Sequence, residues 1–213
     1  MATASAIAPT MAGGTTELEA PATWRRRELL RCVLAAASAV ALGDANAAGH
    51  AVGPPAGVAA QSDFDFFLGR WRVAHRRLRK RLAGNNDWEE FGGTSHCLSL
   101  LGGIVSVNES LVNRGGGSYC GMGLRAFDAT SRSWADWYLD GRQPTHIEVP
   151  GMGRFANGVG TFLSEETFEG RPVIVRGVWR DITTHSFTWE QAFSPDAGAS
   201  WETNWVMRHT RVD

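Results

Sequence analysis

The sequence predicts an all-β fold: an up-and-down antiparallel barrel of about 8–10 strands with a short N-terminal helical plug. Three observations predict it. From Ser62 onward no stretch carries a 3.6-residue apolar period beyond the opening plug. Short alternating segments recur instead, with Gly, Asn and Asp turn signals every 8–12 residues or so. And an apolar run, Phe66-Phe67-Leu68, leads into Gly69-Arg70-Trp71, where the glycine allows close backbone approach and the indole can seal one end of a barrel.

The chain has 213 residues, 43% hydrophobic and 20% charged, with a formal net charge of -1. That balance argues against a nucleic-acid or anionic-membrane partner. Nine Trp against two Tyr is a marked skew. The indoles either fill a core or line a cavity, and core filling is the simpler reading for any one of them.

Residues 1–47 read as an export signal. Arg26-Arg27-Glu28-Leu29-Leu30-Arg31 has the twin-arginine pattern, and an 11-residue apolar run from Cys32 to Leu42 follows, ahead of Ala45-Asn46-Ala47. The run is shorter than the roughly 20 residues a membrane-spanning helix needs, so no stable anchor is expected once it is removed. An amphipathic helix or an organelle transit peptide is the alternative; Glu17, Glu19 and Glu28 count against the transit peptide. The expected location is therefore periplasmic or extracellular. Residues 48–61, with Pro54-Pro55, read as a linker, and residues 62–213 as the barrel. Cys97 and Cys120 are an even pair in an oxidising compartment: either a disulfide or two small buried hydrophobes. Their spacing fits no metal motif, and no metal is expected.

Within the barrel, Ser62 or Asp63 is placed to cap a helical turn that carries Phe64, Phe66 and Phe67 into the base. The first strand runs from Arg70 to Arg81, with Trp71, Val73 and His75 on one face and Arg70, Arg72, Ala74 and Arg76 on the other. The basic run from Arg76 to Arg81 is either an anion or membrane patch or, as the simpler reading, a solvated strand end with carboxylates across the sheet. Gly92-Gly93 suggests a bulge in the second strand, Trp88 to Leu100. The third and fourth strands run from Ile104 to Val112 and from Tyr119 to Phe127; in the fourth, Gly121, Gly123 and Arg125 share a phase. The fifth is Trp134 to Leu139 and a short sixth is Thr145 to Val149, with Gly151-Met152-Gly153 as a turn. The last four are Val159 to Phe168, Val173 to Asp181, Ser186 to Phe193 and Trp201 to Arg211. Ser194-Pro195-Asp196-Ala197-Gly198-Ala199-Ser200-Trp201 fits an Asp-box, read as a hairpin device rather than glycosidase chemistry.

Several of these segments together resemble a largely uncharacterised family of exported bacterial lipocalin-like (calycin-type) proteins. They are Phe67-Leu68-Gly69-Arg70-Trp71, Leu124-Arg125-Ala126-Phe127-Asp128, Trp137-Tyr138-Leu139-Asp140-Gly141-Arg142 and Trp189-Glu190-Gln191-Ala192-Phe193-Ser194. The resemblance implies a structural role for Gly69 and Trp71, with a C-terminal arginine, Arg211, packed on the tryptophan. It implies no settled catalytic residues.

The chain holds no nucleophile elbow, phosphate loop, dinucleotide fingerprint or H-E-x-x-H. The function expected is binding of a small, partly apolar ligand in the barrel interior, with His75, Arg125, Trp137, Arg142, Trp189 and Gln191 as candidate contacts. Arg125 or Arg142 would meet a polar or carboxylate group. The alternatives are a small isomerase, cyclase or hydratase using His75 with Asp140 or Glu90, or an envelope protein with a filled barrel. No cofactor is expected. Haem on His209 is the exception to consider, and His209 reads first as a surface or rim histidine.

Overall fold

The computed structural model describes residues 61–212. The export signal, most of the linker and Cys32 lie outside the described residues. Ten strands form one closed barrel: β1 (Gly69–Leu78), β2 (Trp88–Leu100), β3 (Val105–Arg114), β4 (Gly117–Asp128), β5 (Ser133–Asp140), β6 (Gly151–Ala156), β7 (Val159–Phe168), β8 (Arg171–Arg180), β9 (Ser186–Ser194) and β10 (Glu202–Val212). Each strand pairs antiparallel with its chain neighbour, and β10 pairs antiparallel with β1 to close the sheet. Closure removes the exposed edges on which other chains would pair.

Alternation along β1 places Trp71, Val73 and His75 inward, 1%, 3% and 4% exposed, while Arg70, Arg72 and Ala74 face water. Ahead of β1 lies a single 3₁₀ turn, Asp65–Phe67, with no side-chain cap. Asp63 accepts a hydrogen bond from Trp134 Nε1 at 3.1 Å instead of capping the turn. Phe64, Phe67, Trp71, Trp134, Phe162, Trp179 and Phe187 form the buried core at this end, mostly edge to face: Phe64 meets Trp134 at 4.9 Å and Trp71 meets Phe187 at 4.8 Å between ring centroids.

The floor is clasped by Arg211. Its guanidinium donates to the carbonyls of Leu68 at 2.6 Å, Phe66 at 2.8 Å and Thr184 at 2.7 Å, and it lies 4.2 Å from the Trp71 ring. Trp71 Nε1 donates to the Phe67 carbonyl at 2.7 Å. Gly69 adopts φ 100°, and a Cβ there would sit 2.9 Å from Arg211 Nη1. Both the backbone angle and the space call for glycine.

The structure corrects four expectations. Thr145 to Val149 is not a strand; it touches the sheet through one bridge, Leu139 to Ile147. The sixth strand is Gly151–Ala156, where the glycines suggest a turn. Gly153 is needed for room rather than for turning, because a Cβ would fall 2.6 Å from Phe162 Cγ. Gly92-Gly93 makes no bulge: the β1–β2 register runs unbroken from Gly69↔Cys97 to Leu78↔Trp88. Gly93 instead admits the His75 imidazole, whose Nε2 would be 3.0 Å from an added Cβ. A register shift lies between Thr203 and Trp205 of β10. Finally, Cys97 and Cys120 are free thiols, one buried and one exposed. Cys97 falls in the inward phase of β2 and Cys120 in the outward phase of β4, so they stand on opposite sides of the wall and no disulfide forms.

The Asp-box segment closes the β9–β10 hairpin. Asp196 accepts from Ser200 N at 2.8 Å, Ser200 Oγ at 2.6 Å and Ser194 Oγ at 2.8 Å. These donors hold its carboxyl down at about 2.

Removing the clasp should be costly, because it orphans three carbonyls and uncovers Trp71. Arg211→Ala is expected to lower unfolding free energy by about 2–4 kcal/mol, read by urea unfolding with tryptophan fluorescence. Gly69→Ala is expected to cost about 1–3 kcal/mol through the backbone angle. Losses under about 0.5 kcal/mol for both would remove the clasp from its role.

Candidate functional site

Above the aromatic floor the barrel interior is hollow. An inner chamber of about 200 Å³ opens toward a vestibule of about 260 Å³; Tyr138, Glu166, Gln191 and Trp205 border both. Strand alternation builds the chamber wall: Trp189 and Gln191 from β9, Trp205 and Met207 from β10, Val175 and Trp179 from β8. The Trp189 ring meets Trp205 edge-on at 6.0 Å and Trp179 at 6.5 Å. Gln191 Oε1 is buried with no hydrogen-bond partner.

The polar side of the chamber is organised by Arg125, 2% exposed. Its guanidinium donates to Asn108 Oδ1 at 2.8 Å and to Ser106 Oγ at 3.2 Å, and stands 4.0 Å from Asp136. The rings of Phe64 and Phe67 lie 5.2 Å from it. Gly123 makes this possible: a Cβ there would be 2.5 Å from Asn108 Oδ1 and 2.7 Å from Arg125 Nη1. Burial pushes the Asp136 carboxyl up to about 6, against the pull of Arg125 and the Trp179 indole.

His75 stacks on Phe91 at 4.7 Å and accepts from Trp205 Nε1 at 3.3 Å. Burial, with Arg77 nearby, pulls it down to about 4. His209 lies flat on Phe187 at 4.1 Å, and burial takes it down to about 3. Both imidazoles are therefore neutral at pH 7. His209, 4% exposed, is a wall residue of the chamber and not a rim histidine. The bulge at Thr203/Trp205 sets the inward phase of Trp205, Met207 and His209.

The structure brings His75, Arg125, Trp137, Trp189 and Gln191 to one chamber. It corrects the others. Glu90 is exposed and pairs in register with outward Arg76, on the opposite face from His75. Trp137 is half-buried and borders the chamber, although on β5 it stands in the phase opposite to Asp136 and Tyr138 and pairs with Leu124. Asp140 lies at the vestibule and is taken by Arg142, whose Nε donates at 2.9 Å; Arg142 also lies over Tyr119 at 3.9 Å. The expected pairs of His75 with Asp140 or Glu90 are not formed. The carboxyls that share the chamber with His75 are Asp136, Glu148 and Glu166, of which Asp136 stands beside Arg125.

The basic run divides by face. Arg79 reaches Asp87 at 3.4 Å and Glu89 at 3.5 Å, and Arg76 lies over Trp88 at 4.3 Å, as a solvated strand end would. Arg77 and Arg81 turn into the vestibule. The signal for Arg77 was present in the sequence, since it continues the phase of Trp71, Val73 and His75. Asp136 likewise continues the phase of Trp134. Among the described residues no group of three His, Cys, Asp or Glu is placed to hold a metal ion, and no helix is long and apolar enough to cross a membrane.

No protein-family model matches the chain, and no curated protein matches it. Eight chains of solved structures match it, among them the following two. One is a redesigned β-barrel, 10% identical, covering 70% of this chain and 94% of its own, at a TM-score of 0.40. The other is an S-type phycobiliprotein lyase from Guillardia theta, 11% identical, covering 75% of this chain and 99% of its own, at a TM-score of 0.50. At that identity the second likeness concerns the fold.

The buried imidazoles set an acid response. Below about pH 6.5 the unfolded chain protonates both histidines, whereas the folded chain resists until about 4 at His75 and about 3 at His209. The unfolded state then binds more protons, so stability falls as pH drops. Asp136, raised from 3.8 to about 6, acts in the opposite sense over its narrower window. Unfolding free energy measured by urea is expected to be lower at pH 5 than at pH 7.5, and a His75→Gln/His209→Gln double variant to lose most of that difference. Equal stability of the parent protein at both pH values would rule this out.

Proposed function

We propose that this chain is a binding protein that holds a small, partly apolar ligand in the barrel chamber. The observation that carries the proposal is the chamber itself: Trp179, Trp189, Trp205 and Met207 around a space that opens to the vestibule, with Gln191 Oε1 buried and unpartnered in its wall. A buried acceptor without a partner costs about 1–3 kcal/mol, and a ligand N–H or O–H is a natural way to recover it. The hollow interior speaks against an envelope protein with a filled barrel. The barrel neighbour named as a phycobiliprotein lyase supports this reading as a fold of the same kind with a function directed at other molecules. The chamber is smaller than the roughly 300–1,000 Å³ of pockets for drug-sized ligands, so the part of a ligand inside it is one or two fused rings, not a haem-sized macrocycle.

The twin-arginine pattern at Arg26-Arg27 extends the proposal to an exported protein that meets its ligand outside the cytoplasm. A second reading, proton transfer on a bound substrate, is favoured by Asp136, a carboxyl near neutrality beside Arg125 in the same chamber.

Native mass spectrometry of the protein purified from its own host is expected to show a bound mass below about 500 Da, consistent with a pocket of this size. Gly177 faces the chamber beside Trp189, with 3.4 Å from a built Cβ to Trp189 Nε1. Gly177→Leu should therefore fill the chamber, keep the fold and abolish the bound mass. An empty parent protein, or a bound mass that survives Gly177→Leu, would overturn the proposal.

A further inference from the structure

The vestibule holds two guanidiniums that the protein leaves without an anion. Arg142 is held by Asp140, Arg114 by Glu89, Arg79 by Asp87 and Glu89, and Arg180 by Asp181 and Glu190. Among the described residues Arg77 and Arg81 make no hydrogen bond or ion pair. Each rests on aromatic rings instead: Arg77 lies 4.4 Å from Trp205, and Arg81 lies 4.3 Å from Phe168 and 5.1 Å from Phe193. Stacking uses the flat face of a guanidinium and leaves its N–H edge free to grip a planar anion.

Arg77 Nε is buried and has no acceptor. Desolvation and the neighbouring charges of Arg81 and Arg114 pull Arg77 down to about 10, and burial also lowers Arg81. Carboxylates act on these charges only from beyond ion-pair distance, Glu89 on Arg77 and Glu169, Glu166 and Glu202 on Arg81. Asp140 is committed to Arg142, Glu202 accepts from Leu82 N at 2.6 Å, and Glu166 accepts from Ser164 Oγ at 2.6 Å, its own ionisation opposed by burial and by Glu148. Glu148 is exposed, on the stretch between β5 and β6.

Trp205 links the two compartments. Its ring lies under Arg77, edges Trp189 in the chamber and donates its N–H to His75. A flat molecule lying along the indoles therefore emerges next to Arg77.

We propose that the ligand is an amphipathic organic anion whose aromatic body occupies the chamber and whose carboxylate sits between Arg77 and Arg81. This rests on the binding reading above and adds the charge and orientation of the ligand. It also moves the anion contact away from Arg125, which is satisfied by Asn108, Ser106 and Asp136, and from Arg142, which is satisfied by Asp140.

The test uses two fluorescent probes with the same rings, uncharged phenylnaphthylamine and anionic anilinonaphthalene sulfonate, titrated into the full chain. The anionic probe is expected to bind at least about tenfold more tightly, the scale of a hydrogen bond to a charged group. That advantage should shrink as salt rises from about 0.05 M to about 0.5 M. Arg77→Gln/Arg81→Gln should remove the advantage and leave the uncharged probe within about twofold; Arg77→Lys/Arg81→Lys should retain part of it. Equal binding of the two probes to the parent protein would overturn the anion assignment and leave the chamber reading standing. So would equal weakening of both probes in the Gln variant. If neither probe binds, the chamber reading fails and the anion assignment fails with it. Should the Gln variant not fold, the probe ratio and its salt dependence in the parent protein decide alone.

Discussion

The barrel depends on one clasp. A sheet of ten strands closes only if its first and last members are held in register; the β1–β10 ladder does this from Arg70↔Val212 to Arg77↔Trp205, and a single guanidinium clasps its lower end. Arg211, on the last strand, donates to the two carbonyls that lead into the first strand and to Thr184 in the β8–β9 connection, while covering the Trp71 ring. A charged donor shared among three otherwise unpaired carbonyls is among the stronger arrangements available to a protein. Its position below the indole keeps water from the floor. Gly69 is the concession that lets the two strands meet, since any side chain there would strike the guanidinium.

From that floor upward the interior changes from apolar to charged. Seven large aromatic residues fill the base, the chamber above carries indoles on one side and the Arg125 network on the other, and the vestibule carries stacked arginines. Arg125 illustrates how a charge survives in such a place. It is fully enclosed, with hydroxyl and amide acceptors within hydrogen-bond distance and Asp136 beside it, and glycine at position 123 leaves it the room. An arginine with that many protein partners organises a site and has little left to offer a ligand. Arg77 has the converse arrangement, a ring beneath it and no acceptor at its edge.

Much of the fold was legible because strand alternation and turn chemistry are local. Trp71, Val73 and His75 read as inward on β1, and Gly121, Gly123 and Arg125 as one phase of β4; both follow from a two-residue period. The candidate contacts were half legible. Trp189 and Gln191 face the chamber, whereas Trp137 stands one residue out of phase, and Glu90 is placed across from Arg76 by the β1–β2 register. Glycines misled most. At Gly93 and Gly153 they read as punctuation, yet they provide volume for His75 and Phe162. A glycine's neighbours across the sheet are not written in its own segment.

The sequence alone determined the class of fold, most strand phases and the Asp-box hairpin, because each rests on spacing within a segment or on residue types with narrow conformational roles; the pairing of Trp71 with Arg211 was implied by the family resemblance. Only the tertiary structure decided which charges are spent and which remain free. That Arg142 is bound to Asp140, that Arg125 is enclosed by Asn108 and Ser106, and that Arg77 and Arg81 have no anion depends on closing the sheet. Closure brings β1, β4, β5, β7, β9 and β10 around one mouth, and electrostatic pairing is settled by distance in space, which a linear chain does not record.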